Sequence, residues 1–405
     1  MSKKTNTSIN RRDFLAGAAA TAGFTVMTAS AVRSYAANER IKVGFVGLGG
    51  RGKLISGMIS KLPEYQLVAL CDYFDSVVQP MGKEYNVPSD KCFDGLSGYK
   101  KVIDCDVDAI FLETPPCFFP EHVAASVNAG KHVYFAKPVA CDVPGTMSIL
   151  TSGKKATKNK QVFLIDFQVP TDPLNIEVVK HVQNGRIGSV SQINSIYCDQ
   201  GFNAPPKTDT IASRLTNLIW VNDTNLGGGM LVNSGIHAVD AALWTADSKP
   251  VWAMGTSRQG MKRHGDTHDT YSITYMMENG IIVNHRGEHM NNIHEFTCRN
   301  MVWGDKGYAE LGYMGRAWVR ANSFAYRGGE IDTRLYRSGI LYNLAKFAKC
   351  INEGNYENDT LQRGVETNLA VILGREACLR NDKLTREELI KENKKLDFDT
   401  TGLKV

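Results

Sequence analysis

Residues 41–52 read Ile41-Lys42-Val43-Gly44-Phe45-Val46-Gly47-Leu48-Gly49-Gly50-Arg51-Gly52. The first six form an apolar run typical of a buried strand, and the glycines after them match the G-x-G-x-x-G pattern. A second apolar run, Leu67 to Cys71, delivers Asp72 about 20 residues later. Strand, glycine turn, helix, strand and acidic residue in this order predict a dinucleotide-binding unit.

Each residue of this unit has a physical task. Gly47 permits the tight turn, Gly49 lets the backbone approach a pyrophosphate, and Gly52 allows close packing of the helix on the strand. Free N–H groups and the helix dipole favour an anion at the helix N-terminus. Asp72 would accept hydrogen bonds from ribose hydroxyls and repel a 2′-phosphate, which favours NAD. Arg51 keeps NADP open, because a guanidinium near the ribose can accommodate that phosphate.

Short apolar runs predict further strands at Ala109–Leu112, His132–Phe135 and Gln161–Ile165, with a helix over Pro120–Ala129 between two of them. Strands that alternate with helices imply a parallel, doubly wound sheet, an α/β Rossmann fold. Ligands bind beyond the carboxyl ends of the strands of such sheets. Lys137 follows one of these ends, where partial burial would lower its pKa and suit it to proton transfer.

The 405-residue length predicts two domains, and 43% hydrophobic with 22% charged residues is the composition of a soluble globular protein. We divide the chain into a leader (1–36), a Rossmann domain (37–165) and a second domain (166–405). The formal charge of +5 is concentrated in the leader, so nothing favours nucleic-acid binding. Nine cysteines without a C-x-x-C spacing suggest neither a zinc ribbon nor a disulfide framework.

The leader is typical of an export signal. Arg11-Arg12-Asp13-Phe14-Leu15 precedes an uncharged stretch rich in Ala, Gly and Thr that ends near Ser34-Tyr35-Ala36, a small-x-small cleavage pattern. The paired arginines resemble the twin-arginine signal, whose machinery exports folded proteins. We therefore expect a periplasmic protein that carries tightly bound NAD through export. An uncleaved signal would instead hold the protein at the membrane.

The chain also resembles a known family, that of glucose-fructose oxidoreductase, inositol dehydrogenase and MocA. The likeness covers nearly the whole mature chain. The residues that carry it are Gly47–Gly52, Cys71-Asp72, Thr114-Pro115-Pro116, His122, Gly130–Val133, Lys137-Pro138, Gln168–Pro173, Gly185–Gly188, Gly227–Asp240, Asp269–Gly280 and Gly304–Glu310.

The resemblance implies an NAD(P)-dependent oxidoreductase of sugars, cyclitols or related polyols, with an α+β second domain built on an open, mostly antiparallel sheet. It also implies a homo-oligomer, a dimer or a tetramer. Lys137 would move a proton to or from the reacting hydroxyl, and His237 would hydrogen-bond the same oxygen. Thr114, Pro115, His122 and Gln168 would join the glycine loop at the cofactor.

Three positions depart from the family pattern. Ala136 replaces a frequent Glu before Lys-Pro, Asn233 replaces a frequent Asp, and Val169 replaces an Arg after Gln168. An amide can orient a substrate but cannot take a proton at neutral pH. The proton-transfer role therefore falls on Lys137 and His237. From its neighbours alone, His237 could equally be a core histidine at the start of a buried helix.

The expected activity is oxidation or reduction of a secondary sugar hydroxyl, with oxidation at C3 of a glucoside favoured by export. The alternative is an NAD-dependent glycosidase that oxidises the ring, eliminates, adds water and re-reduces. A silent NAD- or sugar-binding protein is a third reading. Trp220, just before the glycine-rich segment, is a candidate for stacking on a sugar. His285 and His289 are four residues apart on an expected strand, too far for one zinc ion, so we expect no metal.

Overall fold

The computed structural model describes residues 40–201, 215, 219–260, 265–290 and 295–405. The export signal predicted for residues 1–36 lies outside these ranges. Across the described ranges, no helix is both long and apolar enough to cross a membrane. Six of the nine cysteines are buried.

The first half folds around a six-stranded parallel sheet with the order β3-β2-β1-β4-β5-β6. Its strands are β1 (Ile41–Val46), β2 (Tyr65–Asp72), β3 (Cys92–Asp94), β4 (Ala109–Leu112), β5 (His132–Ala136) and β6 (Phe163–Asp166). The helices that join them are α1 (Gly50–Ile59), α2 (Asp75–Tyr85), α3 (Gly98–Ile103), α4 (Phe119–Asn128) and α5 (Val143–Lys158). The predicted Rossmann fold is confirmed.

Burial explains why these strands read as continuous apolar runs. All four residues of β4 are buried, as are four of the five in β5, because helices cover both faces of a parallel sheet. The strand order reverses between β1 and β4, and this switch point opens a crevice at the carboxyl ends of the strands. The glycine turn after β1 lies at that crevice.

The second half contains a nine-stranded mixed sheet with the order β14-β13-β12-β11-β7-β10-β9-β8-β15. Only β7 and β10 pair in parallel. The strands are β7 (Val190–Asp199), β8 (Pro250–Arg258), β9 (Thr270–Met277), β10 (Ile282–His289), β11 (Thr297–Gly304), β12 (Gly307–Gly312), β13 (Arg316–Ala321), β14 (Ala325–Glu330) and β15 (Leu384–Thr385). The mostly antiparallel sheet expected from the resemblance is confirmed.

Helices cover one face of this sheet, so buried and accessible residues alternate along β9. The helices of this half are α6 (Pro173–Gln183), α7 (Thr224–Gly227), α8 (Ile236–Ala246), α9 (Leu335–Glu353), α10 (Leu361–Arg380) and α11 (Arg386–Glu392). Exposed large side chains on the sheet include Met254 and Trp303.

Two late helices connect the halves. The apolar side of α9 packs in the core of the Rossmann sheet, where the Phe347 ring lies 5.4 Å from that of Phe111 and 5.7 Å from that of Tyr134. Within α10, buried Arg375 donates to the carbonyl oxygens of Cys141 and Gly228, both at 2.9 Å. The nucleotide-binding half therefore includes residues 335–353 as well as the segment before residue 166.

Candidate active site

The turn after β1 has the shape that its glycines predict. Gly47 has a φ of +92°, and a Cβ there would lie 2.6 Å from the Glu113 carbonyl carbon. A Cβ on Gly52 would lie 1.9 Å from the Gly47 oxygen, so this residue must be glycine for α1 to pack on β1. Gly49 and Gly50 instead face open space, with nothing within 4 Å of an added Cβ. The N-terminus of α1 thus has room for a phosphate group.

Asp72 ends β2 beside this turn. Its Oδ2 accepts the Leu48 N–H at 2.7 Å, and its Oδ1 accepts the Phe74 N–H at 3.1 Å. Burial raises the pKa of Asp72, while these backbone donors oppose the shift. Together the open glycines and the carboxylate fit a dinucleotide with its pyrophosphate on the turn and a ribose at Asp72.

Arg51 does not lie near the ribose site at Asp72, where the sequence analysis expected it. Its Nε is 3.1 Å from Glu113 Oε2, its Nη2 pairs with Asp166, and it stacks over the Tyr336 ring at 5.2 Å. These partners follow β4, end β6 and begin α9, whereas Asp72 ends β2 on the other side of β1. Glu113 and Asp166 hold the guanidinium here, so its position does not support the expectation that Arg51 accommodates a 2′-phosphate.

A cavity of about 560 Å³ lies between the two halves. It is bounded by the glycine turn, the ends of β4 and β5, the segment before α8 and the second sheet. The residues that line it are Gly50, Arg51, Glu113, Thr114, Pro116, Phe119, Ala136, Lys137, Pro138, Tyr197, Asp199, Trp220, Val221, Asn233, Ser234, His237, Phe296, Tyr313, Met314, Thr333 and Tyr336. All the predicted catalytic residues therefore meet in one cavity.

Lys137 follows β5 and points toward the second half of the chain. Its Nζ donates to the backbone oxygen of Asn233 at 2.5 Å. Burial and the nearby Arg51 together lower the pKa of Lys137 to about 7, although Asp166 and Glu113 oppose the shift. A lysine with such a pKa is present partly as the neutral amine at neutral pH, so it can both accept and release a proton.

His237 lies in the first turn of α8 and also lines the cavity. Aromatic rings surround it, with Tyr313 at 5.0 Å and Phe167 and Tyr197 both at 6.5 Å. Burial lowers the pKa of His237 well below its usual value, and Lys137 adds to this shift. Its buried Nδ1 has no hydrogen-bond partner among the described residues. His237 thus lies in the wall of the cavity as a neutral imidazole with an unpartnered polar atom.

Asn233 reaches the cavity from a single π-helical turn, Leu231–Gly235, directly before α8. Such turns disturb the regular ladder of backbone bonds and often occur at functional sites. Here the backbone oxygen of Asn233 accepts a hydrogen bond from Lys137 Nζ. Asn233 itself lines the same cavity. Trp220, from the short 3₁₀ turn Ile219–Asn222, lines the cavity as well.

Both halves of the chain are similar to known proteins. The model described as "Oxidoreductase family, NAD-binding Rossmann fold" matches residues 41–164, and the "GFO/IDH/MocA C-terminal domain" matches residues 176–310. Together they match more than half of the chain. The chain belongs to the Gfo/Idh/MocA family. It is an NAD-binding oxidoreductase of that family, and the cofactor expected from the sequence is confirmed.

Individual Gfo/Idh/MocA relatives are distant. The uncharacterized oxidoreductase YrbE of Bacillus subtilis is 26% identical over 67% of this chain and 73% of its own. Glycosyl hydrolase family 109 protein 4 of Phocaeicola vulgatus is 26% identical over 39% of this chain and 31% of its own. The structure of scyllo-inositol dehydrogenase from Lactobacillus casei, with bound NAD(H) and scyllo-inositol, superposes with a TM-score of 0.68 at 19% identity. That superposition covers 86% of this chain and 99% of the other.

Sequence reasoning missed the buried carboxylates of the site. Ala136 lacks the side chain that Gfo/Idh/MocA proteins often have there, but Glu113 and Asp166 flank β5 from the neighbouring strands β4 and β6. Burial raises the pKa of Glu113 to about 8, although Arg51 opposes the shift. Glu113 follows β4 as Asp72 ends β2, and this shared position at a strand end was the available signal.

Three tyrosines that line the cavity were also not predicted from the sequence. Tyr197 comes from β7, Tyr313 follows β12, and Tyr336 belongs to α9. The sequence analysis assigned none of these three tyrosines to the site, and Asp199, which also lines the cavity, was not identified either. Only their tertiary placement distinguishes them from core aromatics.

His122 and Gln168 are among the predicted cofactor residues that do not line the cavity. The ring of His122 packs 4.1 Å from Tyr99 and 5.7 Å from Phe118, and burial lowers its pKa to about 3. His122 therefore supports the wall around α4. Gln168 lies behind the cavity, where its Oε1 accepts from the Tyr313 hydroxyl at 2.5 Å and its Nε2 donates to Asp166 at 2.8 Å.

Pro115 is likewise not in contact with the cavity, although its neighbours Thr114 and Pro116 are. His285 and His289 lie on β10, a strand as predicted. His285 Nδ1 is 3.0 Å from the Ser195 hydroxyl. No cluster of three or more His, Cys, Asp or Glu side chains in the described ranges is placed to hold a metal ion.

Proposed function

We propose that the protein oxidises a secondary hydroxyl group of a sugar or glycoside. The observation that carries this proposal is the buried Lys137 amine, which shares one cavity with His237 and the glycine turn. When bound, NAD supplies a nicotinamide that accepts a hydride from the carbinol carbon. Gly49, Gly50 and Asp72 would hold the cofactor.

The chain's own residues handle the proton. Neutral Lys137 takes the proton of the substrate hydroxyl and becomes an ammonium group. The backbone oxygen of Asn233, 2.5 Å away, then accepts a hydrogen bond from this cation. His237 hydrogen-bonds the same substrate oxygen, and the Asn233 amide orients a neighbouring hydroxyl. In the reductive direction Lys137 returns the proton.

A sugar fits the surface chemistry of the cavity. Trp220 and Tyr336 offer flat rings, while Asp199, Asn233 and Ser234 offer hydrogen-bonding groups. The relative from Lactobacillus casei was solved with a cyclitol, which supports a polyhydroxylated ring. We favour C3 of a glucoside as the reacting position, on the premise that export brings the enzyme to glycosides outside the cytoplasm.

We further propose that the twin-arginine machinery exports the folded, NAD-loaded protein to the periplasm. Retention at the membrane by an uncleaved leader is the alternative. The open face of the second sheet, with Met254 and Trp303 exposed, would form the contact of a dimer or tetramer. Fractionation of the native host and light scattering of the purified protein test these two proposals.

The catalytic proposal is tested by Lys137→Met. The variant should keep its NAD content and lose at least about 10²-fold in the rate of glycoside oxidation, since the proton acceptor is gone. Lys158→Met, on the exposed end of α5, is the matched control and should behave as wild type. Full oxidation activity in Lys137→Met would refute the assignment.

A second candidate is an NAD-dependent glycosidase. Tyr197 and Asp199 in the cavity supply further acid–base groups, and the partial similarity to the family 109 hydrolase of Phocaeicola vulgatus points the same way. Products separate the two activities. A keto-sugar with reduced cofactor indicates a dehydrogenase, whereas a free sugar without net reduction of NAD indicates a glycosidase. No change of bound NAD across glycosides and keto-glycosides would support a silent binding protein.

A further inference from the structure

Residues 396–405 run along the carboxyl-end edge of the Rossmann sheet. The Leu396 N–H donates to Asp142 Oδ2 at 2.8 Å, in the loop that follows β5. The Phe398 ring then meets the Phe118 ring edge-on at 5.3 Å, in the loop that follows β4. The segment thus crosses two successive strand ends within three residues.

The far end of the segment is fixed beside β2 and β3. The Lys404 N–H donates to the Tyr73 hydroxyl at 3.1 Å, and the Lys404 carbonyl oxygen accepts the Leu96 N–H at 2.9 Å. The Lys404 ammonium pairs with Asp94, the last residue of β3. Nearby, Leu403 is buried. These contacts form a specific anchor rather than a loose surface contact.

This anchor adjoins the adenosine end of the dinucleotide site. Tyr73 directly follows Asp72, the carboxylate placed to hold the ribose. The Gly95 N–H donates to the backbone oxygen of Tyr73 at 3.2 Å, and this bond links the loop after β3 to the loop after β2. A dinucleotide at the glycine turn extends toward these loops from the β1 end. The Lys404 end of the segment therefore lies at the side of the site opposite to Lys137.

A side chain at Gly95 would crowd the anchor. Gly95 has a φ of +80°, and an added Cβ would lie 3.1 Å from the Val405 oxygen and 3.2 Å from the Lys404 oxygen. The middle of the segment, residues 399–402, is exposed. A segment anchored at both ends and weakly packed between them can detach without disturbing the core.

We propose that residues 396–405 form a strap that closes over the adenosine end of the bound NAD and slows its release. The strap adds the outer wall of a site whose inner wall is the glycine turn and Asp72. It would account physically for the tightly bound NAD that is expected of a protein exported in its folded form. The proposal rests on NAD binding and is independent of the substrate.

Two glycines provide a matched test. Gly95 and Gly130 have φ values of +80° and +79°, so alanine strains both backbones alike. Only at Gly95 would the new methyl group crowd the strap and weaken its anchor, because nothing lies within 4 Å of a Cβ at Gly130. The measurement is the release of isotopically labelled NAD from the full-length protein into an excess of unlabelled NAD. A chain shortened to residues 1–395 is measured beside them.

Gly95→Ala and the shortened chain should release NAD at least about tenfold faster than wild type, and Gly130→Ala should release it at the wild-type rate. Equal release rates for Gly95→Ala and Gly130→Ala would overturn the proposal, as would wild-type release from a folded shortened chain. If the shortened chain does not fold, the glycine pair decides. A full-length protein that binds no NAD would overturn the cofactor site and the strap together, whereas loss of oxidation activity alone would affect only the proposed function.

Discussion

Glu113→Gln should change how the stability of the protein depends on pH. In the folded protein burial raises the pKa of Glu113 from its ordinary value of 4.5 to about 8. The folded state therefore binds a proton on Glu113 that the unfolded state has released, throughout the range between these values. The stabilisation that protonated Glu113 contributes to the folded state is fully present below about pH 4.5 and is lost as the pH rises through about 8.

The size of the effect follows from the shift. Linkage gives a loss of about 1.4 kcal/mol per pH unit while one extra proton is bound in the folded state. Between about pH 6 and pH 8 the free energy of unfolding should fall by about 2 kcal/mol in wild type through Glu113 alone. The neutral amide of Gln resembles the protonated acid, and Arg51 keeps its pairing with Asp166, so the variant lacks this loss.

Thermal unfolding across this pH range measures the difference. The Tm of Glu113→Gln relative to wild type should rise by roughly 2–5 °C between about pH 6 and pH 8. Glu353→Gln, at the exposed end of α9, controls for removal of a carboxylate and should leave the wild-type pH dependence in place. Parallel curves for wild type and Glu113→Gln would show that Glu113 stays ionised in the folded protein and would refute the reasoning.

Two further predictions concern the cofactor site and the buried ion pair between α8 and α10. Asp72→Ser should weaken NAD binding by about 10- to 100-fold, because hydrogen bonds to a charged group are lost. The variant should also discriminate less against NADP. Calorimetric titration with both cofactors measures the two affinities, and an unchanged preference for NAD would contradict the prediction. Arg363→Met should lower the free energy of unfolding by about 3 kcal/mol, because buried Asp240 loses a two-point partner. Lys249→Met breaks the exposed pair with Glu278 and should lower the free energy of unfolding by less than about 1 kcal/mol. Chemical denaturation measures both variants. Equal losses of stability would contradict the claim that burial makes the Arg363–Asp240 pair the more important one.

The sequence predicted the elements that depend on local pattern. The runs at Ile41–Val46 and Ala109–Leu112 are strands with those bounds, and the glycine turn joins β1 to α1 as expected. The short strand β3 (Cys92–Asp94) escaped notice, since three residues show no periodicity. The packing of α9 against the Rossmann core also escaped, because an apolar helix face does not identify the core that it will join.

The site was predictable only in part for the same reason. Lys137 was identified from its position after a predicted strand as well as from the family resemblance, and His237 was identified from the resemblance. The structure brings both to one cavity, where Lys137 contacts Asn233, 96 positions away in the sequence. Arg51 was misplaced because its partner Asp166 lies 115 positions away. A guanidinium in a cofactor loop has several possible anions within reach, and only tertiary contacts select among them.

The most direct test of the central claim is the pH dependence of a single turnover. NAD-loaded wild type is mixed with a glycoside that it oxidises, and the formation of reduced nicotinamide is followed by absorbance. If Lys137 is the proton acceptor, the rate should rise as the pH increases through about 7, the value to which burial lowers its pKa, and Lys137→Met should show neither that rise nor the wild-type rate. A rate that does not change between about pH 5.5 and pH 8.5, or the same rise in Lys137→Met, would contradict the claim that Lys137 takes the proton.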